Sequence, residues 1–492
     1  MIRAFSISNF RAFEDWAELP LAPLTCLVGR NSSGKSSLLH ALLLLRQSVE
    51  QRAVGSRVPQ LNLNGSLIDA GSFEDIVYDH DTNRQIGFHF NVSADLTLPR
   101  TERLLQDALV PLDVPRPPTS RLWFPSARAY EFIQRQRKSK TNDVSLSLFF
   151  LPEPPFGPTL SRFVVAVKDL GEINFVRTVG ERRVQHWRVY PAGLPSRAVD
   201  ILFPQWAFFP YLNERPGRLS RSSSDDRHRV SEFVVSAQLA VLEVVVFLSG
   251  LRLLGPFRTP PARRYTFTGL GAVDAGSSGE RAIDLLITEK LIRTPGEPLR
   301  VGVSYWLKRL GLARTVKVRD LAKKSNIFEL AISGAGTARI ANFADVGFGV
   351  SQVLPVLVQG FLVPRGGTYI VQQPELHLHP DAQAGLADFF LYLASRGVRT
   401  IVETHSEYLL LRLRRRLAEK IKPLRVGLRS EGQIPSLPLG KSAISIVYLG
   451  QSDGAVSLQP LEIGDSFQFD NMPSGFMSQA VDDRLALMRA LK

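Results

Sequence analysis

Eight residues near the start of the chain, Gly29-Arg30-Asn31-Ser32-Ser33-Gly34-Lys35-Ser36, leave few folds open to it. Leu24 to Val28, just before them, is an apolar run that reads as a strand, and Ser37 to Gln47, just after, has the apolar, helix-forming content of a buried helix. Strand, glycine-rich turn and helix are the context that a phosphate loop requires. The Gly-x-x-x-x-Gly-Lys-Ser spacing lets successive backbone N–H groups wrap a phosphate at a helix start, where the dipole favours anions. Lys35 then reaches β- and γ-oxygens, and the Ser36 hydroxyl is placed for Mg²⁺. A chance glycine-rich turn would need neither the strand nor the helix.

A chain of 492 residues exceeds the size at which one core usually keeps growing, so we expect one composite domain with a large insertion, or two domains. With 44% hydrophobic and 22% charged residues, large-scale disorder is not expected. The single cysteine, Cys26, excludes a disulfide framework and a Cys-rich zinc site, and fits a reducing, cytoplasmic compartment. Met1 to Phe5 carries no secretory apolar region and reads directly into a strand. Phe233 to Gly250 is long and apolar but includes Gln238 and Glu243, so it reads as a core helix and no membrane partner is expected. The net charge of +14 favours contact with something anionic.

Three segments follow from texture. Residues 1–95 alternate strands with the loop and its helix. Residues 96–229 read as a basic insertion, with prolines at 115, 117, 118, 152, 154, 155 and 158. Residues 121–230 hold 18 Lys and Arg against 10 Asp and Glu, a surplus that is more than half the net charge. Its densest cluster is Arg135, Arg137, Lys138 and Lys140, beside Tyr130 and Phe132, which makes it a candidate for nucleic-acid backbones. From 230 to 492, strands at Arg252–Phe257, Gly367–Val371 and Arg399–Glu403 alternate with helices at Ser304–Gly311, Asp381–Ser395 and Glu407–Lys422. That alternation implies a largely parallel sheet covered on both sides.

Two later segments turn the loop into a resemblance. Tyr369-Ile370-Val371-Gln372-Gln373-Pro374-Glu375-Leu376-His377-Leu378-His379-Pro380 resembles the Walker B strand and following loop of ABC-type ATPases, and Thr400-Ile401-Val402-Glu403-Thr404-His405-Ser406 resembles their switch-histidine strand. The loop itself, continuing through Ser37, is similar to that of ABC and chromosome-maintenance ATPases. The chain also resembles bacterial ATPases near RecF and the overcoming-lysogenization-defect proteins, through Leu254-Gly255-Pro256-Phe257-Arg258, Asp345 to Pro355 and Met472 to Met477. This resemblance covers the first ~95 residues and nearly everything after ~250, and leaves the insertion out. It implies an α/β fold: an ABC-type P-loop head with a largely parallel sheet, a β-rich N-terminal lobe and the basic insertion. It further implies ATP and Mg²⁺ as cofactors and a head-to-head homodimer in which Gly347, Gly349 and Ser351 complete the partner's nucleotide site in trans. His405 would sense the γ-phosphate.

The sequence departs from that family at two positions. An acid that holds the Mg²⁺ water shell is usual where this chain has Gln372, and a catalytic Glu is usual where it has Gln373. An amide takes no proton from water and offers no charge to a hard cation. Either the protein is a slow hydrolase or nucleotide-gated switch, or an acid-to-amide change has been made to trap ATP. Glu375 and Glu403 remain as carboxylates near the γ-phosphate. His377 and His379 fall on one side of an extended segment, but no third metal ligand is evident. No Asp-x-Asp cluster follows His405, so a built-in nuclease is not expected. The missing Asn-Lys-x-Asp motif speaks against a GTPase. Relatives imply a separately encoded effector, a role in antiphage defence or genome maintenance, and DNA or RNA as a further candidate partner.

Overall fold

The computed structural model describes residues 1–50, 59–96, 141–154, 157–179, 185–194, 202–206, 210–214, 224–269, 272–321, 326–334, 339–419, 440–452, 455–465, 467–471 and 473. The chain divides into two compact units.

One unit comprises Met1–Leu21, Ser36–Leu251 and Gln451–Leu458. It contains an antiparallel seven-stranded sheet of β1 (Ile2–Ser8), β2 (Ala17–Pro20), β4 (Ile86–Asp95), β5 (Thr141–Pro152), β6 (Pro158–Val167), β7 (Gly171–Val179) and β8 (Gln185–Ala192), in the order β2–β1–β4–β5–β6–β7–β8. These strands alternate: Phe88, Phe90 and Val92 of β4 and Leu146 and Leu148 of β5 are buried, while His89 and Asn91 between them are not. Alternation of this kind marks a sheet with one face on a core. That face is met by a long helix over Ser224–Ser249, preceded in the unit by helices at Lys35–Glu50 (α1) and Phe73–Ile76 (α2), and so numbered α3. The stretch His228–Ser249 is long and apolar enough to cross a membrane by length and composition, and 89% of its apolar window is buried inside the protein. Its polar Glu232 accepts a hydrogen bond from Asn142 Nδ2 of β5 at 2.9 Å. Strands β5 to β8 come from the segment read as an insertion. They continue the sheet of β1 and β4 by plain register pairing, from Ile86↔Phe150 to Asp95↔Thr141. A separate hairpin joins β9 (Leu202–Trp206) to β10 (Pro210–Glu214).

The other unit comprises Ala22–Lys35, Arg252–Gly450 and Gln459–Lys492. A six-stranded sheet has the order β11–β16–β17–β3–β18–β19, over Leu251–Leu254, Thr368–Gln372, Arg399–Glu403, Leu24–Gly29, Ile444–Ser452 and Ala455–Pro460, and its β16, β17 and β3 lie wholly in this unit. β16, β17, β3 and β18 run parallel, and every residue of β3 and β16 is buried. Central parallel strands are covered on both faces and so read as continuous apolar runs, not as alternation. Among the described residues, five α-helices belong to this unit: α4 (Ala282–Leu291), α5 (Pro298–Arg309), α6 (Phe348–Leu362), α7 (Pro380–Ser395) and α8 (Glu407–Ala418). A small antiparallel sheet holds β12 (Tyr265–Thr266), β13 (Ala313–Asp320), β14 (Ile327–Gly334) and β15 (Ile340–Asn342). The core centres on Trp306 of α5, with ring centroids 5.2 Å from Phe389 and 5.6 Å from Tyr392 of α7. Buried Asp388 of α7 gathers Arg309, Arg412 and Arg416, so much of the basic charge of α8 is met inside the fold. The expected α/β architecture with a largely parallel sheet is what this unit shows.

Candidate functional site

The phosphate loop leaves β3 at Gly29, whose φ is +146°. A Cβ there would lie 2.3 Å from the Leu449 carbonyl oxygen of β18, so the close approach of the two strands requires glycine. Ser32 and Gly34 also have positive φ, at +60° and +90°, which folds the loop back on itself. The Lys35 ammonium spends its three donors inside the loop, on Gly29 O at 3.0 Å, Arg30 O at 2.6 Å and Ser33 Oγ at 3.4 Å. Burial pushes its pKa down, while the Glu403 carboxylate acts in the opposite direction. Arg30, Asn31 and Ser32 are exposed, and Ser36 and Ser37 follow Lys35 in the first turn of α1. That turn carries no acidic residue, so the positive end of the helix is not neutralised by its own side chains.

Adjacent parallel strands end together opposite the loop. Gln372 closes β16 and Glu403 closes β17, and the two are register partners. Gln372 Nε2 donates to Glu403 Oε2 at 2.6 Å. The backbone then turns sharply: Gln373 has φ +45° and its N–H donates to Glu403 O at 2.7 Å. Beneath the turn lies Arg258, buried, donating from Nη2 to Gln372 O at 2.8 Å and from Nη1 to Gln373 O at 3.0 Å. Glu375 is also buried. Its Oε1 accepts from the His405 backbone N–H at 2.7 Å, and its Oε2 is buried without a hydrogen-bond partner. Burial raises the Glu375 pKa, opposed by that backbone bond. His405 reaches solvent on one side, and partial desolvation on the other, then the Lys35 charge, lower its pKa, with Glu403 pulling the other way. Thr404 N–H donates to Leu27 O at 3.0 Å, which ties the switch strand to β3. Ser406 caps α8 by accepting from Leu409 N–H and donates to Gln383 Oε1 at 2.7 Å.

Lys35, Gln372, Glu375, Glu403 and His405 are thus brought to the ends of three neighbouring parallel strands. The donors offered by Gln372 and Glu403 are oxygens, which suits a hard cation such as Mg²⁺, and Glu403 brings the negative charge that Gln372 lacks. The segment read as a signature lies elsewhere in the unit. Gly347 is the exposed N-cap of α6, while Ser351 is buried with its Oγ donating to Phe348 O at 2.8 Å. At Gly349 a Cβ would lie 3.2 Å from His377 O, so the start of α6 passes close to the loop after β16. Arg135, Arg137, Lys138 and Lys140, and most of Met472 to Met477, lie outside the described residues. Among the described residues no group of three or more His, Cys, Asp or Glu could hold a metal ion.

One contributor and one pairing escaped sequence reasoning. Arg258 stands in the quoted Leu254–Arg258 segment, but nothing local reveals a buried guanidinium under a turn 114 residues away. Glu403 could be seen as a nearby carboxylate, whereas its pairing with Gln372 needs the register of β16 against β17.

The loop, the strand ending at Gln372 and the strand ending at Glu403 share one parallel sheet, the arrangement of a P-loop nucleotide-binding head. Residues 1–116 match a family described as an AAA ATPase domain, and residues 206–412 match one described as an AAA domain, putative AbiEii toxin, Type IV TA system. Both descriptions are of AAA-type ATPase domains, and each match covers less than half of the chain. An OLD nuclease of Thermus scotoductus is 39% identical over 64 residues, which is 13% of this chain and 12% of that protein. Among solved structures, the Smc head bound to the C-winged helix domain of ScpA aligns at 12% identity and TM-score 0.41, over 94% of this chain and 98% of that one. The SMC head domain from Thermotoga maritima aligns at 11% identity and TM-score 0.33, over 94% and 99%.

Proposed function

We propose that this chain binds ATP with Mg²⁺ at the Gly29–Ser37 loop, closes on a second copy of itself, and uses that closure to regulate a separately encoded effector or a nucleic acid. The setting we favour is antiphage defence or genome maintenance in the cytoplasm. One observation carries the nucleotide reading: the Lys35 ammonium is held inside the glycine-rich loop, 3.0 Å from Gly29 O and 2.6 Å from Arg30 O, on the same parallel sheet whose neighbouring strands end in Gln372 and Glu403, hydrogen-bonded at 2.6 Å. Mg²⁺, when bound, neutralises phosphate charge. The chain's own part is to hold the phosphates on loop N–H groups, to aim the Lys35 ammonium, and to keep His405 neutral for hydrogen bonding. Gly347 and Gly349, at the open start of α6, are the backbone donors we assign to the partner's nucleotide, whereas the inward-facing Ser351 hydroxyl fixes the helix start.

A second reading, a non-hydrolysing scaffold that binds nucleotide only to assemble, is favoured by the amides at 372 and 373. Turnover and ATP affinity of the chain, of Gln372→Glu and of Lys35→Ala separate the two. Lys35→Ala should abolish ATP binding, since that lysine is the loop side-chain charge aimed at the β/γ-phosphates; unchanged affinity would remove the ATP assignment. Hydrolysis predicts turnover in the chain and a rise of ~10²-fold in Gln372→Glu. Tight binding with no turnover in either form selects the scaffold.

A further inference from the structure

We propose that the anionic ligand of the Mg²⁺ site has moved one strand across the sheet, from the end of β16 to Glu403 at the end of β17, with Gln372 as its positioning residue. The inference rests on the ATP reading above.

Sheet order is the first support. β17 lies between β16 and β3, so Glu403 is one strand nearer than Gln372 to the strand that feeds the phosphate loop. Register is the second: Gln372 pairs with Glu403, and Glu403 in turn pairs with Leu27, two residues before Gly29. The hydrogen bond is the third. A carboxylate oxygen only accepts, so the Gln372 amide must turn its nitrogen toward Glu403, and its Oε1 faces away. An acid at 372 would instead set two like charges side by side in a buried place. Glutamine at 372 and glutamate at 403 are therefore one unit: the amide locks the carboxylate's rotamer while the carboxylate keeps the charge. Mg²⁺ needs one or two carboxylates besides waters and phosphate oxygens, and this pair supplies one.

The test measures ATP affinity by calorimetry with EDTA and with Mg²⁺, together with Mn²⁺ bound to the ATP complex by electron paramagnetic resonance. We expect Mg²⁺ to tighten ATP binding to the chain, and Glu403→Gln to lose that tightening by ~10–100-fold while still binding metal-free ATP. Should Glu403→Gln fail to fold, Glu403→Asp keeps the charge on a shorter arm and should retain part of the metal effect. Gln372→Met, which removes the donor but not the acid, should broaden the Mn²⁺ signal and weaken the metal effect less than Glu403→Gln does. Full metal dependence in Glu403→Gln or in Glu403→Asp, or its loss in Glu375→Gln alone, overturns the inference and leaves the ATP reading standing. No ATP binding by the chain in either condition overturns both.

Discussion

Replacing Arg258 by alanine should destabilise the unit that holds the site by about 2–4 kcal/mol. The guanidinium makes two backbone bonds, at 2.8 and 3.0 Å, to the carbonyls of Gln372 and Gln373. Hydrogen bonds from a charged donor contribute roughly 1.5–3 kcal/mol each. Against them stand the cost of burying the cation, seen in the lowered pKa of Arg258, and an Nε that is buried without a partner. Alanine relieves that cost but strips a donor from two carbonyls at once. It also frees a turn whose Gln373 sits at φ +45°, a conformation that costs a side-chain-bearing residue about 1–2 kcal/mol. Urea unfolding should show a lower midpoint at unchanged slope, and ATP affinity should weaken as the end of β16 loosens. Arg258→Lys offers one point charge in place of a fork and should recover less than the full loss. A midpoint within ~0.5 kcal/mol of the parent, the range of ordinary surface changes, would refute the account of the turn. So would full recovery by lysine.

Gln372→Glu should place two carboxylates where a 2.6 Å amide–carboxylate bond now stands, so that one of them takes up a proton. A pKa raised in the folded state means stability kept at low pH and lost as pH rises; melts without metal should fall from pH 5.5 to 8 more than the parent's, and Mg²⁺ should restore them. His40 titrates at about 4, lowered by burial and then by Arg11, whose Nη1 lies 2.7 Å from its Nδ1. Because this pKa is depressed, its contribution to stability holds above about 6.5 and is lost as pH falls toward 4. Arg11→Met should raise its NMR midpoint, and an unmoved midpoint would show that Arg11 is not a cause. Replacing Arg135, Arg137, Lys138 and Lys140 by alanine should lower the salt slope of DNA or RNA binding by about 3–4 if all four meet phosphates, with Lys35-dependent ATP binding unchanged. If the parent protein binds no nucleic acid at low salt with ATP present, the charge serves a protein partner.

The sequence by itself determined the local chemistry of this site. A glycine closing an apolar strand, a lysine after a second glycine and an apolar helix are written in consecutive residues, and so are the continuous apolar runs of β3 and β16 that mark central parallel strands. It also set the stretch Phe233 to Gly250 apart as a core helix through Gln238 and Glu243, the latter pairing with the Met1 ammonium at 3.1 Å. Tertiary structure decided whatever depends on register between distant segments. Gln372 and Glu403 are 31 positions apart, and residues 96–140 separate β4 from β5, so neither pairing leaves a trace in a local pattern. The inward turn of the Ser351 hydroxyl depends on how α6 enters the core, and the burial of Arg258 on a turn made by another part of the chain. Period and composition are properties of neighbours in sequence; which strand edge a charge meets is a property of the packed sheet.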